Sequence, residues 1–203
     1  MFVKFQKKFN ILLKNRNVII KIKRVAKMNI AYLYYTEENA DFRGGVLLTD
    51  EKTKPIEFRI TTEVSLDELQ KIIYGDSLKE VLFKEKFGID LLNALKEKYD
   101  IVLTKDKDLL TIRKSIDAPV IFVRKFDPFM AKDKYSHKII NIYNKFDPLM
   151  ITISKEDEKK LISISKALNE IYKNFNIMEP FQRIENAIQY IAMNEKNAKL
   201  TTK

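Results

Sequence analysis

Two apolar, β-branched runs, DIVLT at 100–104 and PVIFV at 119–123, stand fourteen residues apart with the short helical pattern KDLLTIRKSI between them. A hairpin needs only a few connecting residues, whereas two parallel strands need a crossover of a dozen or more, usually helical. The spacing therefore predicts a parallel pair, and with it a sheet covered by helices on its faces.

The segments on either side extend that sheet. VIIKIKRVAKMNIAYLYY at 18–35 is rich in β-branched and aromatic residues, which predicts one strand near 18–25 and another near 29–36. ENADFRGG is read as a turn, opened by Gly44 and Gly45, and GVLLTD as a buried strand. DEKTKP connects to IEFRITTEV, where Ile56, Phe58 and Ile60 alternate with Glu57, Arg59 and Thr61 as the closing strand of a hairpin. Ser65 with Glu68 forms a capping-box pattern ahead of a helix stopped by Gly75, and a second helix runs from Ser77 to Tyr99 with Gly88 as its break. LMITI is a last strand. Ser154 with Asp157 starts a helix to about Phe175, Pro180 opens a final helix ending near Asn194, and the polar end frays.

These elements define an α/β (or α+β) chain with one mixed sheet followed by a C-terminal helical pair. Three parts are expected: a basic N-terminal arm or strand over 1–28, a core over 29–153, and helices packed on that core over 154–203. Hydrophobic residues make up 45% and charged residues 33%, enough apolar surface for a folded core.

Composition also removes chemistries. The chain has no Cys and a single His, His137, so disulfides, thiolate nucleophiles and zinc sites built from several Cys or His are excluded, and a reducing cytoplasm is the expected compartment. No apolar run is long enough to span a membrane, and residues 1–28 hold no uninterrupted apolar core of a secretory signal. The glycines show neither Gly-x-Gly spacing nor a Gly-Lys-Ser/Thr ending, which excludes the usual dinucleotide and phosphate loops.

Charge is concentrated at one end. Lys4, Lys7, Lys8, Lys14, Arg16, Lys21, Lys23, Arg24 and Lys27 carry nine of the ten net positive charges, with no acid among residues 1–28. Such an arm neutralises phosphates and releases counterions, so DNA or RNA is an expected partner. Tyr32, Tyr34 and Tyr35 follow it; Tyr32 and Tyr34 share a strand face and Tyr35 takes the other. Exposure of Tyr35 would offer a base-stacking surface. A second reading of the arm stands beside this one: lysine-rich composition is also a thermophile-like feature, and Met28 is an alternative start.

KFDPFM at 125–130 returns as KFDPLM at 145–150. Asp before Pro disfavours helix, and its carboxylate bonds the downstream backbone, so each copy reads as the same bend with a Phe plug, Phe126 or Phe146. A paired-carboxylate centre from Asp127 and Asp147 requires the two to converge.

Carboxylates remain as ligands for magnesium or manganese. The progression IAYLYY, GGVLLTD, PIEFR, YDIVLTKD, APVIFV resembles the ribonuclease H-like layout of the endonuclease V branch. The resemblance implies a two-metal site with one carboxylate in the first strand and another just after the fourth. Here the first strand offers tyrosines; Asp106 fits the second position, and Asp50 or Glu57 would have to replace the first. RGGVLLTD, KPIEFRITTEV, LQKIIYG and IMEPFQRIENAI also resemble an uncharacterised family of conserved bacterial proteins, matched at Glu57, Phe58, Arg59, Tyr74, Gly75, Glu179, Pro180, Phe181 and Arg183. That likeness implies no catalytic residues; it implies cross-bridging between Glu57–Arg59 and Glu179–Arg183 that docks the last helix on the sheet.

Three functions follow. The main expectation is a non-catalytic binding protein, without cofactor, contacting nucleic acid through residues 1–28 and Tyr35. The alternatives are an adaptor or regulatory subunit that presents Leu161, Ile164, Leu168, Ile171 and Phe175 to a protein partner or a second copy, and a divergent metal-dependent nuclease using Asp50, Glu57 and Asp106.

Overall fold

In the computed structural model, which describes residues 28–38 and 41–201, the strand β1 (Ile30–Glu38) lies at the centre of a mixed sheet. Its residues pack to both sides. Ile30 and Tyr32 enter one apolar cluster, and Ala31 and Leu33 enter a second on the opposite face. Helices cover both faces, which gives three layers.

β2 (Asp41–Thr49) pairs antiparallel with β1, and β3 (Pro55–Ile60) antiparallel with β2; the two-residue β4 (Val64–Ser65) pairs beside the start of β2. β5 (Ile101–Thr104) runs parallel to β1, and β6 (Val120–Lys125) parallel to β5. β8 (Leu149–Ile153) lies antiparallel to β6, and β7 (Ser136–Ile139) antiparallel to β8 at the edge. The order is β3-β2-β1-β5-β6-β8-β7. Its first five strands have the ribonuclease H-like arrangement expected from the sequence, and the parallel crossover between β5 and β6 is present.

Between β4 and β5 the chain forms α1 (Glu68–Tyr74) and a helical segment α2 over 77–93, whose middle, Glu80–Asp90, is wound as a π-helix. A 3-10 turn, Asp108–Lys114, joins β5 to β6. After β8, a second 3-10 turn (Lys155–Lys160) leads into α3 (Leu161–Tyr172), and α4 (Glu179–Thr201) ends the described chain. α3 and α4 cover one face of the sheet and α2 the other. The stripe of the adaptor reading is spent on this packing: Ile164, Leu168 and Ile171 are buried, and Leu161 and Phe175 pack against them.

Several expectations need correction. The strand near 18–25 lies outside the described residues. Gly44 and Gly45 are not turn residues but sit within β2. A Cβ at Gly44 would stand 2.7 Å from the Phe87 side chain, and one at Gly45 2.7 Å from Ile184 on the opposite layer, so these glycines admit close approach of helices to the strand from both sides. The first helix is capped two residues later than predicted: Asp67 accepts from Gln70 N, and the Gln70 side chain accepts from Asp67 N. α2 stops near Asn93 rather than Tyr99. β7 was not anticipated, because SHKI is short and mostly polar; His137 stands on it opposite Ile151.

At Ser154 the expected cap does not form. Asp157 turns inward, where Arg113 donates to both its oxygens at 2.6 and 3.3 Å and Lys160 lies 3.0 Å away. The final helix continues to Thr201 instead of ending near Asn194, and the buried Arg43 ties Glu195 of that helix and Glu63 to β2. The cross-bridge between the two Glu–Arg pairs is also absent. Glu57 pairs with Arg59 and Glu179 with Arg183, each locally, and α4 is fixed instead by Arg183 donating to the Thr53 carbonyl in the β2–β3 turn at 2.8 Å.

Candidate active site

The chain crosses from β1 to β2 on one side and to β5 on the other, so β1 and β5 flank the point where strand order reverses. In open α/β sheets, ligand sites form outside the carboxyl ends of strands at such a point. β1 ends there in Tyr34 and Tyr35, and β5 in Thr104, followed by Lys105 and Asp106.

Tyr35 donates to Asp106 Oδ2 at 2.5 Å. Burial raises the phenol's pKa above its ordinary value, and the hydrogen bond and charge of Asp106 push the same way, so the hydroxyl keeps its proton and acts as a donor. The other oxygen of Asp106 accepts from Asp108 N at 2.9 Å, and Asp106 N donates to the buried Thr104 hydroxyl at 3.1 Å. The turn is thereby fixed with Asp106 and Asp108 on the same side of two backbone steps. The π-wound part of α2 packs over it, with Phe83 stacked on Tyr35 at 4.3 Å and 9°.

A cavity of about 440 Å³ opens between these parts, lined by Asp76, Glu80, Asp106 and Asp108 with Tyr35, Phe83 and Lys84. Lys84 is held 2.7 Å from Glu80. On the adjacent side, a pocket of about 180 Å³ is lined by Tyr34, Tyr35, Thr104, Lys105 and Asp106. Lys105 Nζ lies 5.2 Å from the Tyr34 ring and 5.7 Å from the Phe181 ring, so two aromatic rings on the α4 side of the sheet orient the ammonium.

Of the carboxylates singled out in the sequence, only Asp106 is here. Asp50 sits at the opposite end of β1, where its Oδ1 accepts from Lys52 N and Lys54 N in the β2–β3 turn. Register places it roughly 20 Å from Asp106 along the strand direction. Glu57 lies on β3 with Oε1 bonded by Arg59 and Oε2 by the amides of Lys96 and Glu97. The trio Asp50, Glu57 and Asp106 does not converge. Asp127 and Asp147 do not form a centre either: Asp127 accepts from Phe129 N at 2.9 Å, and Asp147 pairs with Lys125 at 3.0 Å.

Sequence reasoning missed Asp76, Glu80, Asp108 and Lys105. A signal existed for two of them, because TKDKD places two acids and an intervening lysine directly after a parallel strand. Asp76 and Glu80, four apart on a helix start, carry no such mark. Tyr35 is not an open stacking platform, since its ring face is already against Phe83. The nine basic residues from Lys4 to Lys27 lie outside the described residues.

The ribonuclease H-like arrangement implies a divalent ion. Among the described residues no three acids or imidazoles cage one. The cavity's donors are nevertheless all carboxylates, the hard oxygen ligands that magnesium and manganese select, and a magnesium-class ion is commonly held by one or two carboxylates with water and substrate phosphate. The pair Asp106 and Asp108 fits that mode and not an all-protein cage.

No protein-family model matches the chain, and no curated protein matches it. Solved structures similar to it include endonuclease V from Bacillus subtilis, at 13% identity over 96% of this chain and 93% of that one, TM-score 0.49. Another is endonuclease V from Ciona intestinalis in complex with inosine-containing DNA, at 9% identity over 70% and 78%, TM-score 0.47. A third is Marinitoga piezophila Argonaute in complex with guide RNA, at 12% identity over 80% of this chain and 30% of that one, TM-score 0.42. At such identities the likeness is one of fold. Two expectations change. The resemblance to an uncharacterised bacterial family is matched by no family model; the separate likeness to the ribonuclease H-like layout stands as fold. The main expectation of a non-catalytic binding protein is corrected: the structures similar in fold include endonucleases, and that activity is stated of those proteins.

Proposed function

We propose that this chain is a divergent nuclease that acts on nucleic-acid phosphodiesters at the carboxyl ends of β1 and β5. The observation that carries the reading is the cavity in which Asp76, Glu80, Asp106 and Asp108 meet beside Tyr35 and α2.

Asp106 and Asp108 are the residues that would hold a divalent ion, with Asp76 and Glu80 supplying further negative charge on the facing wall. When bound, that ion supplies Lewis-acid polarisation of a phosphoryl oxygen and a water of lowered pKa. Tyr35 keeps one Asp106 oxygen oriented, as outer-shell donors do for ligating carboxylates. Lys105, poised by Tyr34 and Phe181, offsets the charge of an incoming phosphate that the acids would otherwise repel. Phe83 and Tyr35 form an apolar wall that limits water on one side.

The test is incubation of the purified chain with manganese or magnesium and with single- and double-stranded DNA and RNA across neutral and alkaline pH. Cleavage that requires the ion and is abolished by Asp106→Asn supports the reading. No cleavage of any of the four substrates removes it.

A further inference from the structure

The two copies of the KFDP motif meet in the fold. β6 and β8 pair antiparallel with Lys125 opposite Leu149, so the bend after β6 and the bend before β8 leave the same end of the sheet, and Phe126 N donates to the Pro148 carbonyl at 2.8 Å. This end is also the carboxyl end of β5, because β5 and β6 are parallel. At about 5 Å per strand step, the paired bends lie one or two strands, roughly 5–10 Å across the sheet, from the end of β5 that leads into Asp106. Lys107, next to Asp106, pairs at 3.4 Å with Asp133, where the loop after the first bend returns to the start of β7.

The surface built there is cationic and aromatic. Arg124 and Lys138 flank Met150 in one row across β6, β8 and β7. Lys138 Nζ lies 3.8 Å from the centre of the Phe126 ring, and Lys145 lies 5.6 Å from that of Tyr143. Phe129 is 96% exposed and Tyr143 59%. The acids of the same segments are already engaged: Asp147 by Lys125, Asp133 by Lys107, and Asp127 by Phe129 N. Among the described residues, Arg124, Lys132, Lys138 and Lys145 have no carboxylate partner.

These bends are also held firmly. The buried Asn141 accepts from Tyr143 N at 2.9 Å and Lys145 N at 3.1 Å while donating to the Tyr172 carbonyl, and Tyr172 donates to the Asp147 carbonyl at 2.6 Å. A loop fixed by buried polar groups that nonetheless exposes a tyrosine tip is pre-organised for contact rather than for its own stability.

We infer that the paired KFDP bends form a platform for single-stranded nucleic acid, on which Phe129 and Tyr143 stack bases while Arg124, Lys132, Lys138 and Lys145 neutralise phosphates and lead the strand to the acid-lined cavity. The inference rests on the nuclease reading for where the strand goes, but binding is measurable without cleavage. Charge complementarity selects the occupant. Unpaired cations interleaved with open rings are what a sequence-tolerant single-strand surface presents.

The experiment uses the full chain in EDTA and reads the anisotropy of a labelled oligothymidine of roughly 15 nucleotides, about the span of one such site. Phe129→Ala with Tyr143→Ala is expected to lower affinity about ten-fold or more, and Lys138→Gln with Lys145→Gln to lower it and flatten its salt dependence by about 0.7 per phosphate contact. Tyr190→Ala, an exposed aromatic on α4, leaves it unchanged. Affinity unaltered in both double variants overturns the platform. So does the finding that vesicles of phosphatidylserine and phosphatidylcholine bind the wild-type chain and release the variants while the oligonucleotide does not distinguish them. Loss of cleavage in Asp106→Asn leaves these affinities as they are, so the two proposals fail separately.

Discussion

The hydroxyl of Tyr35 donates to Asp106 across the parallel pair β1–β5, joining residues 71 apart in the chain. The bond ties the carboxyl end of β1 to the acid that follows β5.

Tyr35→Phe keeps the ring stacked on Phe83 and removes only the donor. A hydrogen bond to a charged, half-buried group of this kind is worth about 1–2 kcal/mol, which urea unfolding measures. Cleavage is expected to fall roughly ten-fold, the usual scale for loss of an outer-shell partner of a ligating carboxylate. A variant with unaltered cleavage and lowered stability would show that Tyr35 serves the fold alone.

Lys105→Ala removes the ammonium that Tyr34 and Phe181 hold at the end of β5. Affinity for nucleic acid in EDTA should weaken, and the slope of its logarithm against the logarithm of salt should become shallower by about 0.7–0.9, one phosphate contact. Equal slopes for the two proteins would exclude a phosphate contact at this residue.

Asp157→Asn breaks a buried ion pair. The carboxylate is fully covered and bonded by Arg113 and Lys160, and leaving Arg113 without its partner is expected to destabilise by about 3–5 kcal/mol. Burial alone would raise the pKa of Asp157, but the hydrogen bonds and charges of Arg113 and Lys160 outweigh it and hold the group below its ordinary value. A depressed folded-state pKa gives stability that is complete above the unfolded value, about 4, and is lost as pH falls through the folded one. The gap between wild type and variant, followed by chemical denaturation, should therefore be constant near neutrality and close below about pH 4.

Gly44→Ala and Gly45→Ala each insert a methyl at 2.7 Å from a neighbouring side chain, an overpacking that costs about 1–3 kcal/mol. Phe87 meets Gly44 with Cβ and ring atoms near the helix backbone, so relief there requires α2 to move. Ile184 meets Gly45 through a branch methyl. Combining Gly45→Ala with Ile184→Ala should cost less than the sum of the two single changes, which a double-mutant cycle in thermal unfolding reads directly.

Much of the sheet was legible because its strands are written in contiguous β-branched runs and because fourteen residues between DIVLT and PVIFV leave room only for a crossover. SHKI escaped, since four residues with three polar ones carry no period; only pairing with β8 makes them a strand. The π-wound stretch of α2 escaped as well, for its apolar residues fit an ordinary helical spacing; in the fold its Phe83 and Phe87 meet Tyr35 and Gly44.

The candidate site was half legible. Asp106 follows a strand and announces itself, whereas Asp50 and Glu57 are acids at turns and edges whose local bonds are invisible in a sequence. Asp76 and Glu80 become part of the cavity only through the placement of α2.

The bare stretch at Gly44 and Gly45 has one further effect. Side chains from the two outer layers press on neighbouring peptides of the same strand, with nothing but backbone between them. The layer that carries Glu80 and the long terminal helix are thus separated at this point by the thickness of a single polypeptide.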